Sequence, residues 1–452
     1  MSTPSIAEQE KGLHHQLSAG QMAMVAVGGS IGTGLLLGSA AAMQIAGPAV
    51  ILSFLLAAFI SWTAAMALGE LASAHPAAGS FGVYGDLYLS EWAGFLARAG
   101  YWAAIAISIG AELVASATYM SYWFPRVPAL GWVIAFSLFL LGVNLRTVGG
   151  YGRFEYWFAM IKLVTIVAFI LLGAGLLFSG RVEPQYTAHG GFFPNGSWAP
   201  LLAMGFAIYT FGGVEMVAIT TGETRAPQEI PRAIRYTFVI LTCIYLGAIV
   251  VLAGVMPWNR AGVTESPFVS VFRQVHLPGA SDIMNFVVLT ATLSGANAAL
   301  YVASRMLFSL ARSGWAPEIF GRLNKAGAPE LALLGSSYGI LVALVLEKWA
   351  PADAFVSILG AALVGMLLSW LVSLAAHVNF RRRLSPAQVA ALPLRSPMGA
   401  WGSALGFVLV IAAILESGLR SHLTLISGAI YIVGLSVVYW FLRKARTARP
   451  AR

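Results

Sequence analysis

Charge is the scarcest property of this sequence. Only 10% of its 452 residues are charged, against about 25% in a typical soluble domain, so too few charges exist to cover a surface that faces water. Cysteine is nearly absent: Cys243 is the one thiol, which excludes an intramolecular disulfide and any cysteine-based metal cluster. The seven histidines (His14, His15, His75, His189, His276, His377 and His422) are scattered without metal-ligand spacing, so no metal site and no cofactor are expected. There is no phosphate loop of the G-x-x-x-x-G-K-[ST] kind, which speaks against ATP drive by this chain. Met1 to Gln21 is polar and carries acidic residues; it lacks the basic segment and short apolar core of a cleaved signal, so no processing is expected.

Apolar residues fill the space that charge leaves. They are 58% of the chain, and mean hydropathy is +0.79. Forty-eight glycines and 13 tryptophans suit tightly packed helices and interfacial belts. These numbers exclude disorder, coiled coil and collagen and leave an integral membrane protein. The net charge of +9, from 27 Lys+Arg and 18 Asp+Glu, then reads as basic residues gathered in loops on one side of a bilayer, not as a nucleic-acid surface.

A stretch of about 20 apolar residues spans the hydrocarbon core. Twelve such stretches are expected, at 22–46, 48–73, 94–122, 128–147, 154–178, 198–221, 233–256, 283–311, 331–349, 354–379, 400–418 and 423–442. With the N-terminus inside, twenty Lys/Arg fall on the inner side and six on the outer: Arg126, Arg181, Arg260, Arg273, Lys348 and Arg420. That bias puts both termini in the cytoplasm. The largest loops, near 180–197 and 257–282, are about 20 residues long, so function must lie within the membrane.

Two spans are built to break. The first contains Gly28-Gly29-Ser30-Ile31-Gly32-Thr33-Gly34, and the sixth contains Phe211-Gly212-Gly213-Val214-Glu215. Each glycine in a helix interior costs about 1 kcal/mol relative to alanine, and unwound backbone at membrane depth survives only in protein or beside a cavity. Spans one and six occupy matching places in two five-helix halves, the second necessarily inverted, and paired interruptions of this kind point to a transporter binding site. Half-helix N-termini suit a carboxylate and half-helix C-termini suit an ammonium. A zwitterionic amino acid matches both. The competing reading is that the glycines only permit close helix packing.

Ionisable residues inside spans are functional candidates. Lys162 lies about 12 Å into span five at 1.5 Å per residue. Placing a lysine there costs about 2.5–3.5 kcal/mol, which marks it as a candidate proton carrier. Glu112 in span three and Glu215 after the second break are further candidates. Glu70 and Glu223, toward span ends, suit structural or gating roles with loop arginines. Tyr209 and Phe211 beside the second break are placed to line a pocket.

The motifs resemble bacterial amino acid permeases, in the amino acid transporter branch of the amino acid–polyamine–organocation superfamily. The resemblance rests on Gly28 through Leu35, Gly69-Glu70-Leu71, Pro76 through Phe81, Tyr151 through Lys162, Phe211 through Glu215, Gly222-Glu223, Ile230-Pro231-Arg232-Ala233 and Ser304-Arg305-Met306-Leu307-Phe308, in order across about residues 15–445. It implies an all-α, LeuT-like fold of twelve helices: a first repeat at 21–180, an inverted second repeat at 198–380, two further helices at 399–443, and cytoplasmic segments at 1–20 and 444–452. It implies an inner-membrane importer working by proton symport and alternating access, with no enzymatic step. The substrate carboxylate would meet amides at Gly32, Thr33 and Gly34. The ammonium would meet carbonyls at Ser30, Tyr209 and Gly212. Lys162, where sodium sits in sodium-coupled relatives, implies protons. Span three (Ser108, Gly110, Glu112), span six (Thr210, Phe211) and span eight (Ser294, Asn297) would shape a small-to-medium pocket for a neutral amino acid. Beyond substrate and lipid, no obligatory protein partner is expected. An amino acid or polyamine exchanger of the same superfamily is the alternative, and a multispanning membrane enzyme a remote one.

Overall fold

The computed structural model describes residues 19–75, 80–146, 151–219, 227–274, 279–324, 329–351, 354–420, 426 and 428–448. Every regular element among them is helical. They are α1 (Ala19–Ser30), a π-helical turn at Gly34–Gly38, α2 (Ser39–Ala46), α3 (Val50–Ala74), α4 (Ser80–Tyr88), α5 (Glu91–Ser121), α6 (Ala129–Arg146) and α7 (Tyr151–Phe178). After a loop come α8 (Ala199–Leu202), α9 (Met204–Thr210), α10 (Met216–Ile219), α11 (Ile230–Val255), α12 (Pro267–Gln274) and α13 (Ala280–Arg312). The remainder is α14 (Glu330–Ser336), α15 (Tyr338–Trp349), α16 (Ala354–Arg383), α17 (Pro386–Ala390), α18 (Gly399–Arg420) and α19 (Leu435–Ala448).

Eight helical stretches among the described residues are long and apolar enough to cross a membrane, which makes this a multi-pass membrane protein. One of them, Met22–Ala74, is 53 residues long, enough for two crossings at about 20 residues each. The chain bends within it at Gly47-Pro48. The expected span at 198–221 is not among them, because its described part is divided into α8, α9 and α10. The last expected span, 423–442, lies partly outside the described residues and holds a second π-helical turn, Ile430–Gly434.

The longest helices organise the interior. Ser90 caps α5, its hydroxyl accepting from the Ala93 amide at 3.2 Å, and Glu91 stands in the first turn, where a negative charge suits the helix dipole. From there α5 runs 31 residues through the centre and packs against α13 and α16. Its buried residues are small over long stretches (Ala104, Ala106, Ser108, Gly110, Ala111), so neighbouring backbones come close. α1 packs on α7 and α11, which delivers Lys162 and Tyr245 to the first break. The outer faces of α6, α7 and α18 carry exposed apolar side chains such as Leu138, Leu171 and Val408, as expected of surfaces that meet lipid.

Candidate functional site

Backbone groups freed by a broken helix must find partners elsewhere. At the first break, between α1 and the π-helical turn, three carbonyls are taken by side chains from distant elements. Lys162 Nζ donates to Gly28 O at 2.9 Å, the Tyr245 hydroxyl to Ser30 O at 2.8 Å, and the Ser266 hydroxyl to Leu36 O at 2.9 Å. The Ser30 hydroxyl donates back to Ala26 O at 2.7 Å. On the amide side, Thr33 N and Thr33 Oγ1 both donate to Glu112 Oε1 at 3.2 Å. Glu112 Oε2 has no hydrogen-bond partner among the described residues.

The second break, residues 211–215, is a run of turns between α9 and α10. Gly213 adopts φ +104°, a conformation that side-chain-bearing residues rarely take, and a Cβ there would run into Ser30. The two breaks therefore touch, and Gly34 also lies against the Thr210 backbone. Glu215 turns back on its own loop: its Oε2 accepts from Gly213 N at 3.1 Å and from Trp370 Nε1 at 3.3 Å, while Oε1 has no partner among the described residues.

A cavity opens where the breaks meet. Ser30, Gly32 and Gly34 line it from the first break and Tyr209, Gly212 and Glu215 from the second, with Ser108 and Glu112 reaching in from α5. Its remaining wall is apolar or bare: Ala104, Ile105, Met216, Gly295, Ala299, Ala362 and Met366. Polar groups of the two breaks and two carboxylates thus share the lining with small apolar surface.

The other candidates lie elsewhere. Thr33 is buried behind Glu112. Thr210 donates to Phe206 O at 2.9 Å, and Phe211, fully buried, packs on Phe54 and Tyr245. Ser294 is buried outside the lining, and the Asn297 amide oxygen accepts from Asn144 Nδ2 at 2.6 Å, joining α13 to α6. Lys162 lines a small separate void with Ile31, Leu36 and Phe268. Glu70 is fully buried at the far end of α3: Arg381 grips both its oxygens, Ser396 N donates to Oε2 at 2.6 Å, and His377 Nε2 stands 3.2 Å from Oε1. Glu223 lies outside the described residues.

Motif reading passed over Tyr245, Trp370, Gly295 and Met366. Gly295 carried the one available signal, a small residue between Ser294 and Ala296 in an otherwise ordinary helix. The others are apolar or aromatic residues inside apolar runs, where nothing local marks them.

A buried cavity lined by interrupted backbone, with carboxylates and an intramembrane lysine near it, is an arrangement suited to a membrane transporter. The family follows from comparison with known proteins. The profile of the amino acid permease family matches residues 21–448. The chain is 34% identical over 443 residues to the uncharacterized amino acid permease YtnA of Bacillus subtilis, covering 96% of each. It is 35% identical over 440 residues to the aromatic amino acid transport protein AroP of Escherichia coli, covering 95% of each. It is 37% identical over 365 residues to AroP of Salmonella typhimurium, covering 79% of this chain and 80% of the other. The chain belongs to the amino acid permease family, within the amino acid–polyamine–organocation superfamily.

Proposed function

We propose that the protein imports a neutral amino acid by proton symport, through alternating access, across the inner membrane with both termini in the cytoplasm. The observation that carries this is a cavity shared by two interrupted helices, with Lys162 anchored on the first break from outside it. Amides at Gly32, Thr33 and Gly34 take the substrate carboxylate. Carbonyls at Ser30, Tyr209 and Gly212 take its ammonium, and Glu215 adds charge complementarity on that side. The apolar wall of Ile105, Ala299, Ala362 and Met366 supports an uncharged side chain, and the names of the AroP relatives put aromatic amino acids first in any panel. Ser294, Asn297, Thr210 and Phe211 lie outside the lining and shape the site through the elements they belong to. Twelve crossings in a LeuT-like arrangement, with an inverted pair of repeats at 21–180 and 198–380, accommodate the two breaks at matching positions. Glu70 and Glu223 serve as gating or structural groups.

Lys162 donates to a carbonyl at the first break, so its protonation biases the conformation of that helix. A ligand shifts such an equilibrium only through its differential affinity for the two states. The test is uptake of labelled amino acids into proteoliposomes under an imposed pH gradient. The expected outcome is accumulation of a small group of neutral amino acids, lost in Lys162→Ala while some binding survives. Unchanged gradient-driven accumulation in that variant would contradict the role given to Lys162. Uptake that requires amino acid on the opposite side and ignores the pH gradient would favour an exchanger.

A further inference from the structure

One of the amides expected to receive a substrate carboxylate, that of Thr33, already holds one. Glu112 Oε1 accepts from both the backbone N–H and the hydroxyl of Thr33 at 3.2 Å, and Glu112 lines the cavity from α5. The side chain is more than nine-tenths buried, and its second oxygen has no hydrogen-bond partner among the described residues. Glycines flank it: a Cβ on Gly32 would come within 2.5 Å of Oε1 and one on Gly295 within 3.0 Å of the carboxyl carbon. The site is thus shaped around a carboxyl group standing at the first break.

We infer that Glu112 is the proton-accepting carboxylate of the transport cycle, coupled to substrate by competition for the Thr33 donors. The inference rests on the transport reading above and selects between its two candidate carboxylates. An amino acid arriving at the first break brings a second negative charge to donors that Glu112 occupies. Two carboxylates at one site keep a proton between them. Glu112 takes that proton from solution, its carboxylate becoming a carboxylic acid. Thr33 N–H and Oγ–H then pass to the substrate, and the new Glu112 O–H can donate to the incoming carboxylate. Release of substrate returns Thr33 to Glu112 and the proton to solution. Glu215 stands in the opposite relation. Held by Gly213 N and Trp370 Nε1 at the second break, it complements the substrate ammonium and has no reason to lose its charge on binding. The groups facing Glu112 are Lys162 on α7, Tyr209 on α9 and Tyr119 on its own helix, with Glu215 across the cavity.

The experiment is calorimetric titration of the purified full chain with L-phenylalanine, and with each other proteinogenic amino acid in turn, in buffers of different ionisation enthalpy across a pH series. Wild-type protein is expected to take up about one proton per ligand at neutral pH, its affinity falling by about tenfold per pH unit toward alkaline pH. Glu112→Gln is expected to take up none, to show a flat pH profile and to bind at least several-fold tighter at neutral pH. Binding of 2-phenylethylamine, which lacks the carboxyl, should not change between the two proteins. Glu112→Gln that keeps the proton uptake, or binds the amino acid more weakly, overturns the inference and leaves amino acid transport standing. Wild-type protein that binds no amino acid overturns the transport reading and this inference together. Should Glu112→Gln misfold, infrared difference spectra of the wild type decide. Added amino acid should raise the carbonyl band of a newly protonated carboxyl, and the absence of that band refutes the inference.

Discussion

Glu70 and Glu112 are both buried carboxylates in apolar helices, and their surroundings differ in kind. Glu70 is saturated: two guanidinium nitrogens of Arg381, a backbone amide at Ser396 and the His377 ring all face its two oxygens. Those partners come from α16 and from the chain between α17 and α18, so the cluster fastens α3 to them. Glu112 has one oxygen held by a single residue and one with no hydrogen-bond partner among the described residues, and a cavity beside it. A buried charge with every lone pair engaged is a clamp. One left half-engaged beside open space is able to change partner or protonation, which is what a transport cycle asks of a site.

The contrast can be broken from the Glu70 side first. Arg381→Ala leaves a buried carboxylate without its cation and should destabilise the protein by about 3–5 kcal/mol, read as a large fall in the unfolding midpoint in detergent. An unchanged midpoint would place the two carboxylates in the same class. Next is Gly295→Ala. Its methyl would come within 3.0–3.2 Å of the Glu112 carboxyl atoms, and overpacking of that degree costs about 1–3 kcal/mol. The expected result is a smaller drop in the midpoint together with weakened amino acid binding; unaltered binding would show that Glu112 moves without using that space. The smallest effect belongs to Asn297→Ala, which removes the hydrogen bond from Asn144 and should cost about 1 kcal/mol with substrate preference unchanged. A changed preference would bring Asn297 into the cavity wall.

The sequence carried some of this plainly. Glycine clusters in apolar runs mark both interruptions, because glycine cannot sustain a helix cheaply, and the structure breaks within 31–33 and 211–215. Lys162, Glu112 and Glu215 stood out because charge among apolar residues is expensive. Pairings across long distances did not show. Arg381 meets Glu70 from 311 residues away and Tyr245 meets Ser30 from 215, and neither separation leaves a local pattern. The apolar wall was equally silent, since Ala362 and Met366 differ from their lipid-facing neighbours only in the direction they point. Asn297 shows the reverse: a polar residue conspicuous in the sequence that the fold uses to join two helices.

One cavity between two broken helices is proposed to hold an amino acid by both ends of its backbone. The most direct measurement compares equilibrium binding of an amino acid that the protein accumulates with binding of its methyl ester, which lacks the carboxylate, and of its N-acetyl derivative, which lacks the ammonium. Each change should weaken binding by about tenfold or more, as when a charge-assisted hydrogen-bonding end worth about 1.5–3 kcal/mol is removed. Equal affinity for the ester or the N-acetyl derivative would overturn it, because that end of the substrate would then meet no partner at the breaks.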